Sequence, residues 1–246
     1  MRPKVVKLGG SLLDDAARRA DALRDIVEGW NAGEAIVLVH GGGKNVDAWL
    51  KRLAIPKRTH AGLRVTDDAT LEVVVAVLAG SVNKMLVAEL TAMGVKSAGI
   101  SGADAGTLIA EVHPPIDGVD LGHVGRVVSA SGTLIGAMLR EGILPVVSSV
   151  AQGPKGALLN VNADSAAAAV ATAVGATSLQ FITDVAGLLD SNGSVVPSLT
   201  AKDAHKLLAS EIVTGGMKPK LQAALGALAA GVKIIHIGGG THLVAA

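Results

Sequence analysis

Two stretches decide how this chain folds: Lys4-Val5-Val6-Lys7-Leu8-Gly9-Gly10 and Ala35-Ile36-Val37-Leu38-Val39-His40-Gly41-Gly42-Gly43-Lys44. Each is a short β-branched run that stops at glycines, and the segment between them, 14–31, has a helical period. In that segment Ala16, Ala20, Leu23, Ile26 and Trp30 recur three and four residues apart, Asp14 is placed to cap the start, and Gly33 follows the end. The alternation continues through strands at 96–100, 143–147 and 233–237 and helices at 45–53 and 67–93. Strands such as Ile36–Val39 are apolar without alternation, as expected where helices cover both faces of a sheet. The chain is therefore expected to be α/β, a three-layer α/β/α sandwich with a mainly parallel open sheet. Between Thr107 and Val128 the helical period fails around Pro114-Pro115 and Asp117-Gly118, which predicts a β-hairpin inserted as a rim or lid. Punctuation at Gln152–Gly156 predicts a division into lobes of residues 1–150 and 151–246.

Composition narrows the function. Half of the 246 residues are hydrophobic, enough for a large core, and 22 Lys and Arg stand against 21 Asp and Glu. A near-zero balance gives no basic field for a nucleic-acid backbone, and one Phe, two Trp and no Tyr leave few rings for base stacking. An adenine ring would have to rest on aliphatic side chains. The absence of cysteine excludes disulfides and thiolate chemistry. Lys4 and Lys7 interrupt the place of a signal-peptide apolar run, and no uncharged apolar stretch approaches the ~20 residues of a membrane span, so a soluble, cytoplasmic protein without a membrane partner is expected.

Chemistry concentrates at the two glycine turns. Glycine N–H groups beside a helix start, with Lys7 at the same strand end, make an anion site, and the second turn at His40–Lys44 opens on the same edge of the sheet. Two facing turns suit a polyphosphate. Neither G-x-G-x-x-G nor G-x-x-x-x-G-K-[ST] occurs, which disfavours dinucleotide and P-loop sites. His40 and His236 sit at strand ends near glycines, where a core or turn role is the commoner one, and no histidine spacing suits a metal. The stripe Leu71, Val74, Leu78, Val82, Met85 and Leu90 reads as core or dimer surface.

Lys7–Gly10, His40–Gly43, Gly62-Leu63-Arg64-Val65-Thr66-Asp67, Asn160-Val161-Asn162-Ala163-Asp164 and Gly215-Gly216-Met217 together resemble the acetylglutamate kinases of the amino-acid-kinase superfamily, in that order and across nearly the whole chain. The resemblance implies ATP-dependent phosphorylation of the side-chain carboxylate of N-acetyl-L-glutamate. Such a transfer brings anion onto anion and depends on charge neutralisation and alignment. It implies Lys7 and Lys220 as catalytic cations and Asp164 as the carboxylate that orients both. Gly9, Gly10, Gly42 and Gly43 would offer N–H groups to the phosphoryl, with Gly42, Gly43, Arg64 and Asn160 on the substrate side. Asp184 and Leu189 would lie with Gly9 and Gly10 on the nucleotide side. The first lobe would bind the amino acid and dimerise, and the second would bind ATP. Mg²⁺ is expected on the ATP phosphates, with no protein ligand assigned.

Departures from the pattern are Ala103, where the family usually has Lys, Lys218 between Met217 and Pro219, and a short tail after Gly240. Entry into the first strand at Pro3 or Lys4 leads us to expect an arginine-insensitive homodimer. A kinase for carrier-bound aminoadipate or glutamate and a non-catalytic nucleotide or amino-acid sensor are the competing readings.

Overall fold

The computed structural model describes residues 2–183, 185–190, 193–210, 213 and 215–245. Strands run in order β1 (Lys4–Leu8), β2 (Ile36–His40), β3 (Thr59–His60), β4 (Leu63–Arg64), β5 (Ser97–Ser101), β6 (Leu108–Val112), β7 (Val124–Ala130), β8 (Leu144–Ser148), β9 (Val150–Gln152), β10 (Leu158–Val161), β11 (Ser178–Ile182), β12 (Ser198–Thr200), β13 (Ile234–Ile237) and β14 (Thr241–Val244). The α-helices are α1 (Gly10–Asp14), α2 (Ala16–Asn31), α3 (Gly43–Arg52), α4 (Asp68–Val75), α5 (Asn83–Ala92), α6 (Thr133–Arg140), α7 (Ala163–Ala173), α8 (Ala201–Ala209) and α9 (Met217–Ala229). A π-helical segment, Ala76–Val82, joins α4 to α5.

Eight strands form one sheet in the order β12-β14-β13-β11-β1-β2-β8-β5, parallel except where β13 meets β14. The expected open, mainly parallel sandwich is what forms. β1 lies between β11 and β2, with Lys7 opposite Phe181 on one side and Val39 on the other. The chain leaves β1 toward β2 and leaves β11 toward the opposite edge, so a topological switch opens at the carboxyl ends of β1 and β11, where α/β sheets bind ligands. Alternation along β1 sends Val5 into the core beneath α7 and α9, and sends Val6 and Leu8 into the core beneath α2, α3 and α5. Lys7 shares the Val5 face and is carried toward α7.

The expected lid hairpin forms as β6 and β7, but it is half of a closed four-stranded barrel, β10-β7-β6-β9. β9 and β10 supply the other half from beyond residue 150. The seam read at residues 150/151 thus lies at β9, and one continuous sheet crosses it. Gly125 makes this closure possible, because an added Cβ would come within 2.8 Å of Leu159 and Val161.

Local signals placed most boundaries within a residue or two. The cap of the first long helix is a correction: α1 occupies Gly10–Asp14, and Asp15, not Asp14, accepts from the N–H groups of Ala17 and Arg18 at 3.0 and 3.1 Å. The helix from Asp68 to Ala92 is long and apolar enough to cross a membrane by length and composition, and 39% of its most apolar stretch is buried. Its buried stripe, Val74, Leu78, Val82, Leu86 and Leu90, packs on the sheet. Within it the wider π turn shifts the phase, so that Asn83 joins Val82 on the inner side.

Asp15→Ala should lower the unfolding free energy by about 1 kcal/mol in urea titration. Asp14→Ala, which removes no cap, should change it by less than about 0.5 kcal/mol.

Candidate active site

At the switch point Lys7, Asp164 and Lys220 meet. Asp164 is in the first turn of α7, where the helix dipole favours an anion, and Asn162 caps that turn by accepting from the N–H groups of Asp164 and Ser165. Lys7 Nζ stands 2.8 Å from Asp164 Oδ1, and Lys220 Nζ donates to both carboxylate oxygens at 3.0 Å. All three residues are buried, at 6–7% exposure. Lys220 Nζ also lies 4.9 Å from the centroid of the Phe181 ring, in cation–π contact. Burial pushes the Asp164 carboxyl up, but the charges and hydrogen bonds of Lys7 and Lys220 overcome this and hold it below the ordinary carboxylate value. Two buried ammonium groups thus share the Asp164 carboxylate. Lys218 is exposed at the start of α9, so the structure brings Lys220 and not Lys218 to Asp164.

The glycine turns divide their work differently from the expectation. Gly9 does not offer its N–H to a ligand: that group donates to Ile182 O at 3.0 Å and ties β1 to β11. Its smallness serves Lys7 instead, since an added Cβ would lie 3.3 Å from Lys7 Nζ and 3.0 Å from Ile182 O. Gly42 has φ +151°, and a Cβ there would come within 2.9 Å of Leu78. The N–H groups of Gly10, Gly42 and Gly43 have no hydrogen-bond partner among the described residues. Those of Gly10 and Gly43 open α1 and α3, which follow the carboxyl ends of the paired strands β1 and β2.

Beside them lies a cavity of about 190 Å³ lined by Gly41–Gly43, Arg64, Ser149, Asn160 and Asn162 and, on its apolar side, by Val46, Val74, Leu78 and Val124. Arg64 is held by its Nη2, which donates to Gly43 O at 3.0 Å and stands 2.5 Å from Asp47 Oδ1. Its Nη1 is buried with no hydrogen-bond partner among the described residues. Burial pushes the Asp47 carboxyl up, and hydrogen bonds from Lys57 and Arg64 more than reverse this, leaving it below its ordinary value. Asn160 donates to Thr66 Oγ1 at 3.1 Å. Asp47 and Thr66 escaped sequence reasoning because each acts through a partner 17 and 94 residues distant, 64 − 47 and 160 − 66, with no motif linking them.

A larger groove of about 1250 Å³ runs between β7, α7 and α9 and meets the small cavity at Gly62, Leu63, Val124 and Asn162. The Lys7–Asp164–Lys220 cluster lines neither of the two; Ala163, the residue before Asp164, lines the smaller one. Leu189 is exposed on a loop closed by its bridge to Val195. Asp184 lies outside the described residues. Among the described residues no group of three His, Cys, Asp or Glu could hold a metal ion.

This chain belongs to the amino acid kinase family, whose model matches residues 2–239. It is 44% identical over 236 residues to the acetylglutamate kinase of Solibacter usitatus (strain Ellin6076), covering 96% of this chain and 90% of that one. It is likewise 44% identical over 225 residues to the acetylglutamate kinase of Geobacillus kaustophilus (strain HTA426), covering 91% and 84%. Among solved structures, smu.665 from Streptococcus mutans UA159 superposes with a TM-score of 0.87 at 30% identity over 98% of both chains. Giardia carbamate kinase shares the fold, with a TM-score of 0.75 at 16% identity over 100% of this chain and 99% of that one.

Asp164→Asn removes the carboxylate that both buried lysines share and should cost about 3–5 kcal/mol of stability at pH 7. Because the folded-state pKa of Asp164 is lowered, its contribution is complete above the unfolded value and is lost as pH falls through the folded one. The difference between parent and variant in urea titrations should thus shrink below about pH 4.

Proposed function

We propose that this family member transfers the γ-phosphoryl group of ATP to the side-chain carboxylate of N-acetyl-L-glutamate, yielding N-acetylglutamyl 5-phosphate and ADP for arginine biosynthesis. The observation that carries the reading is the pair of buried lysines bridged by Asp164, beside a cavity with an unpartnered guanidinium nitrogen. Two cations with one carboxylate between them suit a transition state whose negative charge spreads over three equatorial oxygens. The naming of the 44% identical relatives supports the choice of acceptor.

In this reading a carboxylate oxygen of the substrate attacks the γ-phosphorus as the bond to the β,γ-bridging oxygen breaks, and that oxygen leaves with the electron pair on ADP. No general base is required, since the nucleophile is already an anion at neutral pH. Lys7 faces the acceptor side and Lys220 the nucleotide side, while Asp164 keeps both charged and aimed. The N–H groups of Gly10, Gly42 and Gly43 receive phosphoryl oxygens. Arg64 Nη1 takes the substrate α-carboxylate, Asn160 holds the amino-acid end, and Val46, Val74 and Leu78 form the apolar wall for the acyl methyl group. Residues 1–150 then carry most of the acceptor site, with Asn160 added from beyond them, and residues 151–246 most of the nucleotide site, with exposed Leu189 as an aliphatic rest for adenine. Mg²⁺ enters on the phosphate oxygens of ATP, because the described donors form no cage of their own.

We also infer a cytoplasmic homodimer. The half-exposed apolar helix from Asp68 to Ala92 adjoins β5, the edge strand of the sheet, and a second copy is the partner that would cover both. Light scattering should give twice the chain mass.

Trapping the acyl phosphate with hydroxylamine tests the reaction. Hydroxamate should form from ATP with N-acetylglutamate and not with glutamate, aspartate or N-acetylaspartate. Lys7→Ala and Lys220→Ala should each lower kcat by about 10²–10³. Arg64→Ala should act mainly on the KM for N-acetylglutamate, raising it by at least about tenfold. No hydroxamate with any free amino acid, despite ATP binding, would turn the reading toward a carrier-bound acceptor or a sensor.

A further inference from the structure

His40 is buried completely at the end of β2, immediately before the glycine turn, and the reaction above does not use it. Its hydrogen bonds form a directed line. Lys84 Nζ donates to Asn83 Oδ1 at 3.0 Å and to Gly99 O at 3.0 Å, which fixes the amide of Asn83 with its nitrogen inward. Asn83 Nδ2 then reaches Val146 O at 2.9 Å and His40 Nε2 at 3.0 Å. An amide nitrogen only donates, so His40 Nε2 is the acceptor, and the ring proton sits on Nδ1. Nδ1 lies 2.8 Å from Gly41 O and donates to it. Each donor in this line meets an acceptor, so the orientation of the imidazole and its tautomer follow from the neighbours. Burial, with the Lys84 charge adding to it, pushes the His40 imidazole down to about 4 against the opposing bond to Gly41, so the ring stays neutral and the line stays intact at physiological pH.

The position of Gly41 O matters because a trans peptide is planar. When the Gly41 carbonyl is drawn toward His40, the N–H of Gly42 must point the opposite way. That N–H has no partner among the described residues, and Gly42 lines the cavity of about 190 Å³. Two features built around Asn83 support a dedicated arrangement. The π-helical turn Ala76–Val82 ends directly before Asn83 and brings it inward, and Gly99 on β5 leaves room where any side chain would collide with the Asn83 amide.

We propose that His40 and Asn83 are positioning residues that hold the Gly41–Gly42 peptide plane so that the Gly42 N–H faces the transferred phosphoryl group. The proposal rests on the kinase reading for its chemistry, but its geometry can be tested without any substrate. Asparagine places its amide near the position of imidazole Nδ1 and keeps a donor for Gly41 O, whereas glutamine reaches the position of Nε2, meets Asn83 and leaves Gly41 O without its donor. A residue that merely fills the core would not distinguish these two replacements.

The experiment compares His40→Asn and His40→Gln with the parent enzyme, each verified as folded by circular dichroism. For N-acetylglutamate phosphorylation, His40→Gln should lower kcat at least about tenfold with both KM values within about threefold, while His40→Asn keeps kcat within about threefold. By NMR relaxation without ligand, the backbone order parameters of Gly42 and Gly43 should stay near about 0.85 in parent and His40→Asn and fall below about 0.6 in His40→Gln. Should the His40 variants not fold, Gly99→Ala displaces Asn83 from the far side and should loosen the same two glycines. Equal order parameters in all folded variants would overturn the proposal, as would equal kcat losses in both His40 variants. If the parent forms no hydroxamate while the order parameters diverge as stated, the kinase reading fails and the positioning role stands.

Discussion

Everything near the site is arranged around one electrostatic constraint: two buried ammonium groups, Lys7 and Lys220, share the carboxylate of Asp164. Burying an ion costs several kcal/mol after relaxation, so a partner at ion-pair distance is required. Asp164 lies within 2.8 Å of one and 3.0 Å of the other, and supplying it there requires three elements to converge. β1 must bring Lys7 to the carboxyl edge on the correct face, α7 must begin close above that edge, and α9 must lay Lys220 across both. Phe181, the chain's one phenylalanine, completes the seat from β11, its ring beneath the Lys220 ammonium group.

The distribution of satisfied and unsatisfied polar groups separates scaffold from site. His40, Asn83 and Asn162 are buried or half-buried polar residues, and the hydrogen bonds they make hold the sheet edge and helix start in place. Arg64 Nη1 and the N–H groups of Gly10, Gly42 and Gly43 lack partners among the described residues and gather along one edge. Leaving a donor unsatisfied costs about 1–3 kcal/mol unless something restores the bond. A row of such donors beside buried cations is therefore a design for an anion. Asp47 adds to it indirectly: by engaging one Arg64 nitrogen, it leaves the other to point inward.

Much of this was legible in the chain because local signals reflect local physics. Apolar runs without alternation announced a sheet covered on both faces, and β1, β2, β5, β8 and β13 fell within a residue of the runs that announced them. The Gly42 turn, with φ +151°, needs the residue type that sits there. Lys7 was legible as part of an anion-binding turn, but Lys220 and Asp164 only through resemblance, since nothing in the spacing of positions 7, 164 and 220 predicts contact. Where local reading failed, a neighbour had intervened. Asp14 was a plausible cap until the short helix α1 absorbed it, and the hairpin read as a lid became part of a barrel when β9 and β10 arrived from across the expected seam.

The sequence by itself determined the class of fold, the glycine turns and the kinds of side chain available, because backbone propensity, hydrophobic period and the lack of a Cβ act within a few residues. Only the tertiary structure decided which donors are free and which are used. Gly9 and Gly42 are the same residue type in similar turns, yet the Gly9 N–H is taken by Ile182 O from a strand 173 residues away, 182 − 9, while the Gly42 N–H is left open. The same holds for Lys218 and Lys220, where the side of α9 that meets α7 selects the buried cation. Hydrogen bonds and ion pairs depend on distances of about 3 Å between groups far apart in the chain. Those distances exist only once the sheet has brought its strand ends together.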